Sequence, residues 1–292
     1  MTQIVVLGDL NLDILARVPG ALAPGDESRD RILVEPGGSA GTFARTAARN
    51  ALEVVFIGAV GRDLIGDLLE RSLTDAGVAC HLCRVDLPSG VVLGLDRDGE
   101  RSMVCSRGAN DGLTEGWVTQ SWPASPAHVH ISGYALLSGV QRVAALHAVE
   151  LAQQAKASVS VDPPPASLLR AVGVRTFAGL LPRETWLFPN RSEGELLAGT
   201  ENEDAVVRRL RDRFPIGALT LGADGAIAWD ASAHHRCTAD RLGVVNSTGA
   251  GDVYAATFVA RYLTSGRLAQ ANEAACAAAT TMLQSRERSQ PA

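Results

Sequence analysis

The chain is poor in aromatic residues and has no long hydrophobic run. Phe, Trp and Tyr make up 4% of its 292 residues, which leaves little aromatic surface to stack on a nucleobase. No apolar run approaches the roughly 18 residues that a membrane-spanning helix needs. Basic residues are not in excess, because 27 Lys and Arg stand against 32 Asp and Glu. We therefore expect neither a membrane nor a nucleic acid as a partner.

Cysteines are few and odd in number: Cys80, Cys83, Cys105, Cys237 and Cys276. The N-terminal segment has no basic stretch ahead of its apolar residues, so it does not resemble a secretory signal. Both features favour a reducing, cytoplasmic location. Cys80 and Cys83 have the C-x-x-C spacing of redox and zinc sites. A zinc site would need a second ligand pair, which the sequence lacks, so we expect a structural role for both.

Hydrophobic residues make up 46% of the chain and charged residues 20%, which is enough apolar material for a sizeable core. Short β-rich runs alternate with Ala- and Leu-rich amphipathic stretches. This alternation predicts a doubly wound α/β sheet flanked by helices. Strands are predicted at 4–8, 53–58, 129–132, 159–162, 186–188, 218–221, 226–229 and 241–245. Helices are predicted at 39–50, 64–76, 140–156, 205–213, 253–263 and 269–282.

The pattern changes in two places. Two β-rich runs flank Asp98-Gly99, a dipeptide typical of a hairpin turn. Residues 14–35 lack helical periodicity and could add strands or a loop to the same element. We therefore expect one domain over residues 1–284, with a small antiparallel sheet from about 14–35 and 88–108. Residues 285–292 are predicted to be a polar, frayed tail.

A glycine-rich segment over 246–252 (NSTGAGD) precedes the helix predicted at 253–263. Its small residues allow a tight turn that exposes backbone N–H groups at a helix N-terminus, which is a preformed anion site. A carboxylate at Asp252 would repel a bound phosphate. It fits better beside a transferred phosphoryl group, where it could accept the proton of an attacking hydroxyl. Alternatively, Asp252 only caps the helix, and the spacing alone leaves the two roles open.

Several motifs in this order resemble the PfkB, or ribokinase-like, family of small-molecule kinases. The C-terminal motif is S-T-G-A-G-D at 247–252, and the N-terminal one is a Gly-Gly pair followed by G-x-V-G-x-D-x-x-G. Here these are Gly37-Gly38 and residues 58–66 (GAVGRDLIG). Residues 8–13 (GDLNLD), 190–193 (NRSE) and 220–225 (TLGADG) also match. The resemblance runs from about residue 4 to 282.

The resemblance implies a large α/β domain with a small β-sheet lid over the substrate. It implies ATP-dependent phosphorylation of a hydroxyl on a sugar or sugar derivative, with Mg²⁺ as a cofactor. Asp252 is then the general base, and the backbone of Gly249, Ala250 and Gly251 is the anion hole. The substrate residues are expected to be Asn11, Asp13, Gly37, Gly38, Thr42 and Arg107. The nucleotide residues are expected to be Asn190, Thr220, Gly222 and Gly225, with Glu193 acting on Mg²⁺ through water.

The chain departs from the family pattern at some positions. Thr42 stands where many relatives have Asn, Ser39 where ribokinases often have Lys, and Asn246 where the motif usually begins with Asp. That Asp often lies near a monovalent-cation site, so a potassium ion as a further cofactor stays open. A homodimer through the small sheet is also expected, because exposed strand edges are commonly covered by another subunit.

Alternative functions are a nucleoside kinase of the same family and a non-catalytic regulator that binds a sugar or nucleotide. A dinucleotide-dependent oxidoreductase is disfavoured because no G-x-G-x-x-G follows the first strand. A P-loop kinase is excluded because the G-x-x-x-x-G-K-[ST] motif is absent.

Overall fold

A computed structural model describes residues 2–17, 25, 27, 32–97, 100–137, 139–239 and 247–288. Its main feature is a nine-stranded sheet with the order β13-β12-β11-β10-β9-β8-β1-β4-β5. The pairs from β5 to β11 are parallel, whereas β12 and β13 add antiparallel to the edge. The strands are β1 Gln3–Leu7, β4 Glu53–Gly61, β5 Ala79–Val85, β8 His128–Ser132, β9 Ser158–Asp162, β10 Trp186–Leu187, β11 Gly217–Thr220, β12 Ala226–Trp229 and β13 His234–Cys237.

Helices cover both faces of this sheet, and the hydrophobic core is accordingly divided in two. A parallel strand is buried on both faces, which is why Ile4 to Leu7 are apolar without alternation and have no exposed surface. The helices are α1 Ser39–Arg49, α2 Leu64–Thr74, α3 Glu115–Ser121, α4 Gly139–Gln154, α5 Ala166–Val172, α6 Val174–Leu180, α7 Arg191–Ala198, α8 Glu203–Arg213, α9 Ala250–Ser265 and α10 Leu268–Arg288.

A separate four-stranded sheet has the order β3-β2-β6-β7. It is made of β2 Asn11–Arg17, β3 Ile32–Gly37, β6 Gly90–Arg97 and β7 Glu100–Ser106. The strands β6 and β7 form the hairpin predicted around residues 98–99, and those two residues lie outside the described part. We call this element the small sheet. Its first strand leaves the end of β1 after only three residues, so the small sheet stands at the carboxyl edge of the large one.

Asp63 joins the small sheet to the large one. Its carboxylate caps α2 by accepting a hydrogen bond from Gly66 N at 2.7 Å. The same carboxylate accepts hydrogen bonds from Ser89 N at 2.8 Å and Ser89 Oγ at 2.7 Å, directly before β6. Ser89 Oγ also accepts a hydrogen bond from Gly61 N at 2.9 Å. The G-x-V-G-x-D-x-x-G motif therefore fixes where the small sheet leaves the domain.

Most predicted elements are confirmed within a few residues, but the strands β5 and β13 and the helices α3, α5, α6 and α7 were not predicted. The small sheet is also mixed rather than wholly antiparallel, because β2 and β6 pair in parallel. The strand β13 (HHRC) was missed, because four mostly polar residues carry no apolar alternation. The strand predicted at 241–245 lies outside the described residues. The helix α10 continues to Arg288, beyond the predicted end at 282 and into the segment predicted to be a frayed tail. Arg286 anchors this last turn by donating to Thr248 O at 2.6 Å and by pairing with Glu35 of β3.

Candidate active site

The carboxyl ends of the parallel strands meet at one edge of the large sheet, where α/β folds place their ligands. Asp9 follows β1 and Asp162 ends β9. Asn190 follows β10 and forms a parallel bridge with Thr220 at the end of β11. The start of α9 adds Asp252 to this edge, where Ser39 at the start of α1 contacts it. Residues far apart in the sequence therefore share one cleft.

Asp13 and Asn11 lie on β2, where the small sheet faces this cleft. Asp13 is 7% exposed, and its Oδ1 has no hydrogen-bond partner among the described residues. The pKa of Asp13 is raised to about 7, first by burial and then by the nearby charges of Glu35 and Asp9, whereas Arg45 opposes them. Asn11 donates to Asp9 Oδ2 at 3.2 Å and accepts from Asn110 Nδ2 at 2.8 Å. Asp13 therefore keeps an acceptor oxygen free for a hydroxyl group.

Gly37 and Gly38 leave room for these polar groups. A Cβ at Gly37 would lie 2.2 Å from Asp13 Oδ2, so any side chain there would displace the carboxylate. Gly38 has φ +82°, and a Cβ there would lie 2.6 Å from Asp9 O. Both positions need glycine because the chain entering α1 passes so close to β2 and the segment before it that a side chain would not fit.

Thr42 and Arg107 differ in their surroundings. Thr42 lies in α1, and its Cγ2 is 3.4 Å from the position that a Cβ on Gly249 would take, so it faces the start of α9. The guanidinium group of Arg107 donates to Asp111 at 2.8 Å and to Gln141 of α4. Its backbone carbonyl accepts a hydrogen bond from Asn110 Nδ2 at 2.9 Å, and this amide also donates to Asn11. A role of Arg107 at the substrate stays a prediction.

The start of α9 carries the proposed anion hole. Gly249 precedes the helix with φ +78°, a conformation that favours glycine, and Ala250 is the first helical residue. Asp252 lies in the first turn, where the positive end of the helix dipole stabilises an anion. The N-cap position of this helix is held by Gly249, so Asp252 does not occupy it. Asn246 lies outside the described residues.

Asp252 is close to a second carboxylate that the sequence analysis missed. Ser39 Oγ lies 2.9 Å from Asp252 Oδ1 and 2.6 Å from Asp162 Oδ2, so this hydroxyl bridges the two carboxyl groups. Burial raises the pKa of Asp252 well above its usual value, and the charge of Asp162 raises it further. Burial likewise raises the pKa of Asp162 to about 7. An acidic residue directly after a buried strand was the available signal.

Asn190 and Glu193 form a capping box at the start of α7. Asn190 Oδ1 accepts from Glu193 N at 3.0 Å, and Glu193 Oε2 accepts from Asn190 N at 2.9 Å. Glu193 is buried, which raises its pKa to about 8. With Thr220 and Gly222 they line a cleft of about 360 Å³. Gly225 does not line this cleft: a Cβ there would lie 2.0 Å from Cys237 O of β13.

Tyr134 is an aromatic residue near the carboxylates that belongs to none of the motifs. Tyr134 follows β8, and its pKa is raised by burial first and then by charges that include Asp9 and Asp252. This aromatic residue near the carboxylates was also missed.

Cys80 and Cys83 lie on β5 without a disulfide, and no cluster of three potential metal ligands occurs among the described residues. No helix in the described part of the chain is long and apolar enough to cross a membrane.

Comparison with known proteins agrees with this geometry. The model of the pfkB family carbohydrate kinases matches residues 1–292. An ATP-dependent ribose-1-phosphate kinase of Halopiger xanaduensis is 30% identical over 289 residues, which cover 96% of this chain and 92% of the relative. The chain belongs to the pfkB family of carbohydrate kinases. It is thus an enzyme that transfers a phosphoryl group from ATP to a carbohydrate.

Two solved structures share the fold. An E. coli protein assigned as a ribokinase II, in complex with ATP and Mg²⁺, superposes with a TM-score of 0.82 at 20% identity. The adenosine kinase of Sinorhizobium meliloti superposes with a TM-score of 0.83 at 22% identity. Each match covers 97% of this chain, and they cover 93% and 94% of the two structures. The predicted ribokinase-like fold is therefore confirmed.

Proposed function

We propose that the protein phosphorylates a hydroxyl of a neutral sugar, with Asp252 as the general base. The position of Asp252 carries this proposal: it lies at the start of α9, where its charge acts both on Arg45, which also faces Asp13, and on Glu193 beside Asn190. As the acceptor oxygen attacks the γ-phosphorus, its proton passes to the Asp252 carboxylate and ADP leaves. The transferred charge develops beside backbone N–H groups of Gly249, Ala250 and Gly251.

The nucleotide is proposed to lie along the cleft of Asn190, Thr220 and Gly222. Each Glu193 oxygen accepts one hydrogen bond, from Asn190 N and Asn190 Nδ2, and so keeps a lone pair for a water on Mg²⁺. This oxygen donor set fits a hard cation, which would neutralise phosphate charge when bound. The complex of the E. coli neighbour with ATP and Mg²⁺ supports this assignment.

The sugar is proposed to bind between the small sheet and the start of α1. The free oxygen of Asp13 would accept a hydroxyl there, with Asn11, Thr42 and the backbone at Gly37 and Gly38 around it. Asp9, Asp13 and Glu35 give this side three carboxyl groups against the guanidinium groups of Arg45 and Arg286, and Arg286 already pairs with Glu35. A neutral acceptor is therefore favoured over one that already carries a phosphate.

A nucleoside acceptor receives less support. Phe43, an aromatic residue near the start of α1, is fully buried and stacks on His130 with ring centroids 3.5 Å apart. It has no free face for a nucleobase. A screen of pentoses, hexoses, sugar acids and nucleosides with ATP and Mg²⁺ tests the proposal. We expect turnover with a neutral sugar, and turnover with nucleosides alone would contradict it.

The outer face of the small sheet is proposed to pair with a second copy of the chain. Ile14, Val34, Leu93 and Val104 align across all four strands. They point away from the face that carries Asp13, because side chains alternate along a strand. Val34 is 54% and Val104 67% exposed. An apolar row of this kind fits the same row of another subunit.

A cytoplasmic location is also proposed. All five cysteines are unpaired thiols in the structure, as expected in a reducing compartment.

A further inference from the structure

The hydroxyl of Ser39 lies between two carboxyl groups, and one proton cannot serve both. Ser39 Oγ is 2.6 Å from Asp162 Oδ2 and 2.9 Å from Asp252 Oδ1. A serine hydroxyl donates a single hydrogen bond and accepts others. One of the two carboxyl groups must therefore carry a proton and donate it to Ser39, while Ser39 donates to the other. The pair holds one proton, as two crowded carboxylates generally do.

The position of each group decides which one is the anion. Asp252 lies in the first turn of α9, where the helix dipole favours negative charge. Asp162 ends a strand and has no such support. Its Oδ1 lies 3.1 Å from His130 Nε2, and neither atom has a hydrogen bond to any described residue. His130 is fully buried, which lowers its pKa to about 3 and keeps it neutral. Asp162 therefore has no positively charged partner here that would stabilise its anionic form.

A buried row of polar side chains continues from Asp162 through the sheet. His130 Nδ1 lies 2.8 Å from Ser160 Oγ, which lies 2.7 Å from His128 Nε2. His128 Nδ1 in turn lies 2.7 Å from Ser158 Oγ. If the donors point toward Asp162, His130, Ser160 and His128 each donate once and accept once, and Ser158 Oγ–H donates to His128 Nδ1. Buried polar groups are costly unless they are paired, and this row pairs the two buried histidines.

We propose that Ser39 and Asp162 are positioning residues of the kinase, with Asp162 as the neutral partner that keeps Asp252 anionic. In this arrangement Asp162 Oδ2–H donates to Ser39 Oγ, and Ser39 Oγ–H donates to Asp252 Oδ1. The second oxygen of Asp252 stays free to accept the proton of the acceptor hydroxyl. The row from His130 to Ser158 fixes the orientation of the Asp162 carboxyl group. This inference rests on the proposed role of Asp252 as the base.

The pH dependence of kcat/KM tests the proposal. The charged and titratable groups around Asp252 are Asp162 on β9, Asp9 after β1, Arg45 on α1, Tyr134 after β8 and Glu193 on α7. Ser39→Ala removes the donor to Asp252, so the acid limb should move up by about one pH unit. Ser39→Thr, the conservative control, keeps the hydroxyl and should keep the wild-type profile.

Asp162→Asn provides the second variant. An Asn amide can donate to Ser39 as the protonated acid does, and it removes the proton competition. We expect a plateau rate within about threefold of wild type and an acid limb shifted down by about one pH unit.

An unchanged limb in Ser39→Ala, an equal shift in Ser39→Thr, or loss of the plateau rate in Asp162→Asn would each overturn the proposal. If the Ser39 or Asp162 variants give such a result while the Asp252→Asn enzyme is inactive, only the positioning roles of Ser39 and Asp162 are overturned, and the assignment of Asp252 as the base stands. An active Asp252→Asn enzyme would remove the proposed function itself.

Discussion

A buried carboxyl group with an unpartnered oxygen is the main feature of the sugar side. Asp13 Oδ1 has no hydrogen-bond partner in the described structure, and a substrate hydroxyl would supply one. Hydrogen bonds to charged groups contribute roughly 1.5–3 kcal/mol each. Asp13→Ala should therefore weaken sugar binding at least about tenfold and leave ATP binding within about twofold. Calorimetry with each ligand checks this, and equal losses for both would move Asp13 out of the sugar site.

The raised pKa of Asp13 gives sugar affinity a pH dependence. Burial holds the pKa at about 7, so below pH 7 the group is largely protonated and accepts fewer hydrogen bonds. Sugar affinity should rise as pH increases from 6 to 8. In the control variant Asp13→Asn, which cannot titrate, this dependence should disappear. A dependence that persists in Asp13→Asn, followed by calorimetry across this pH range, would assign it to another group.

The raised pKa of Asp13 affects folding stability in the opposite direction: sugar affinity should rise with pH, whereas the contribution of Asp13 to stability falls with pH. A carboxyl group whose pKa is higher in the folded state binds its proton more tightly when folded. The stabilisation from that proton is present below the unfolded pKa of 3.8 and is lost as pH rises through about 7. Asp13 is therefore kept at a cost to stability near neutral pH, which fits a group needed for binding.

At the scale of elements, Asp63 holds α2 and the start of β6 together. Burial raises its pKa, but hydrogen bonds from Ser89 and Gly66 outweigh this and hold the pKa below its usual value. Losing a helix cap costs about 1 kcal/mol, and the bonds to Ser89 add to it. Asp63→Ala should lower the free energy of unfolding by about 2 kcal/mol in denaturant titrations. Asp75→Ala, an exposed position at the other end of α2, should stay within about 0.5 kcal/mol. Equal effects would show that the cap does not hold the small sheet.

The helices and strands also show how much of the fold can be predicted from the sequence. Continuous apolar runs predict the central parallel strands, because strands buried on both faces need apolar residues without alternation. The parallel edge strand β5 (ACHLCRV) has no such run and was not predicted. The Asp98-Gly99 turn predicts β6 and β7. The polar strand β13 carries no such pattern, since it lies at the sheet edge. The length of α10 depends on Arg286 meeting Glu35 and Thr248, which lie far away in the sequence.

For the site, too, local sequence patterns predict some features, while others depend on tertiary packing. Glycines and carboxylates within one motif, such as Gly249 and Asp252, can be found from their spacing. The pairing of Asp252 with Asp162 through Ser39 depends on the register of β9 against β8 and on the packing of α1, which no local pattern encodes. Arg107 was predicted at the substrate; its guanidinium group pairs with Asp111 and Gln141 in the structure, and its role at the substrate stays a prediction.

At the scale of the whole molecule, the apolar row on the small sheet predicts a dimer. Val34→Glu places a charge in the middle of that row and should convert a particle of twice 30.6 kDa into one of 30.6 kDa. Leu64→Glu, at an 85% exposed position on α2, is the matched control and should leave the mass unchanged. Light scattering after size-exclusion chromatography measures both. A wild-type protein that is monomeric at micromolar concentration would contradict the dimer.

The central claim is that Asp252 takes the proton of the acceptor hydroxyl. The most direct measurement is kcat of Asp252→Asn with the sugar found in the screen, alongside calorimetry of sugar and ATP binding. Removing a general base lowers the rate by about 10²–10⁴, whereas Asn keeps the shape of the side chain. We predict a fall in kcat of at least about 10² with both affinities within about threefold of wild type. Asp212→Asn, an exposed position on α8, should keep the full rate. A near-wild-type kcat in Asp252→Asn would contradict the account.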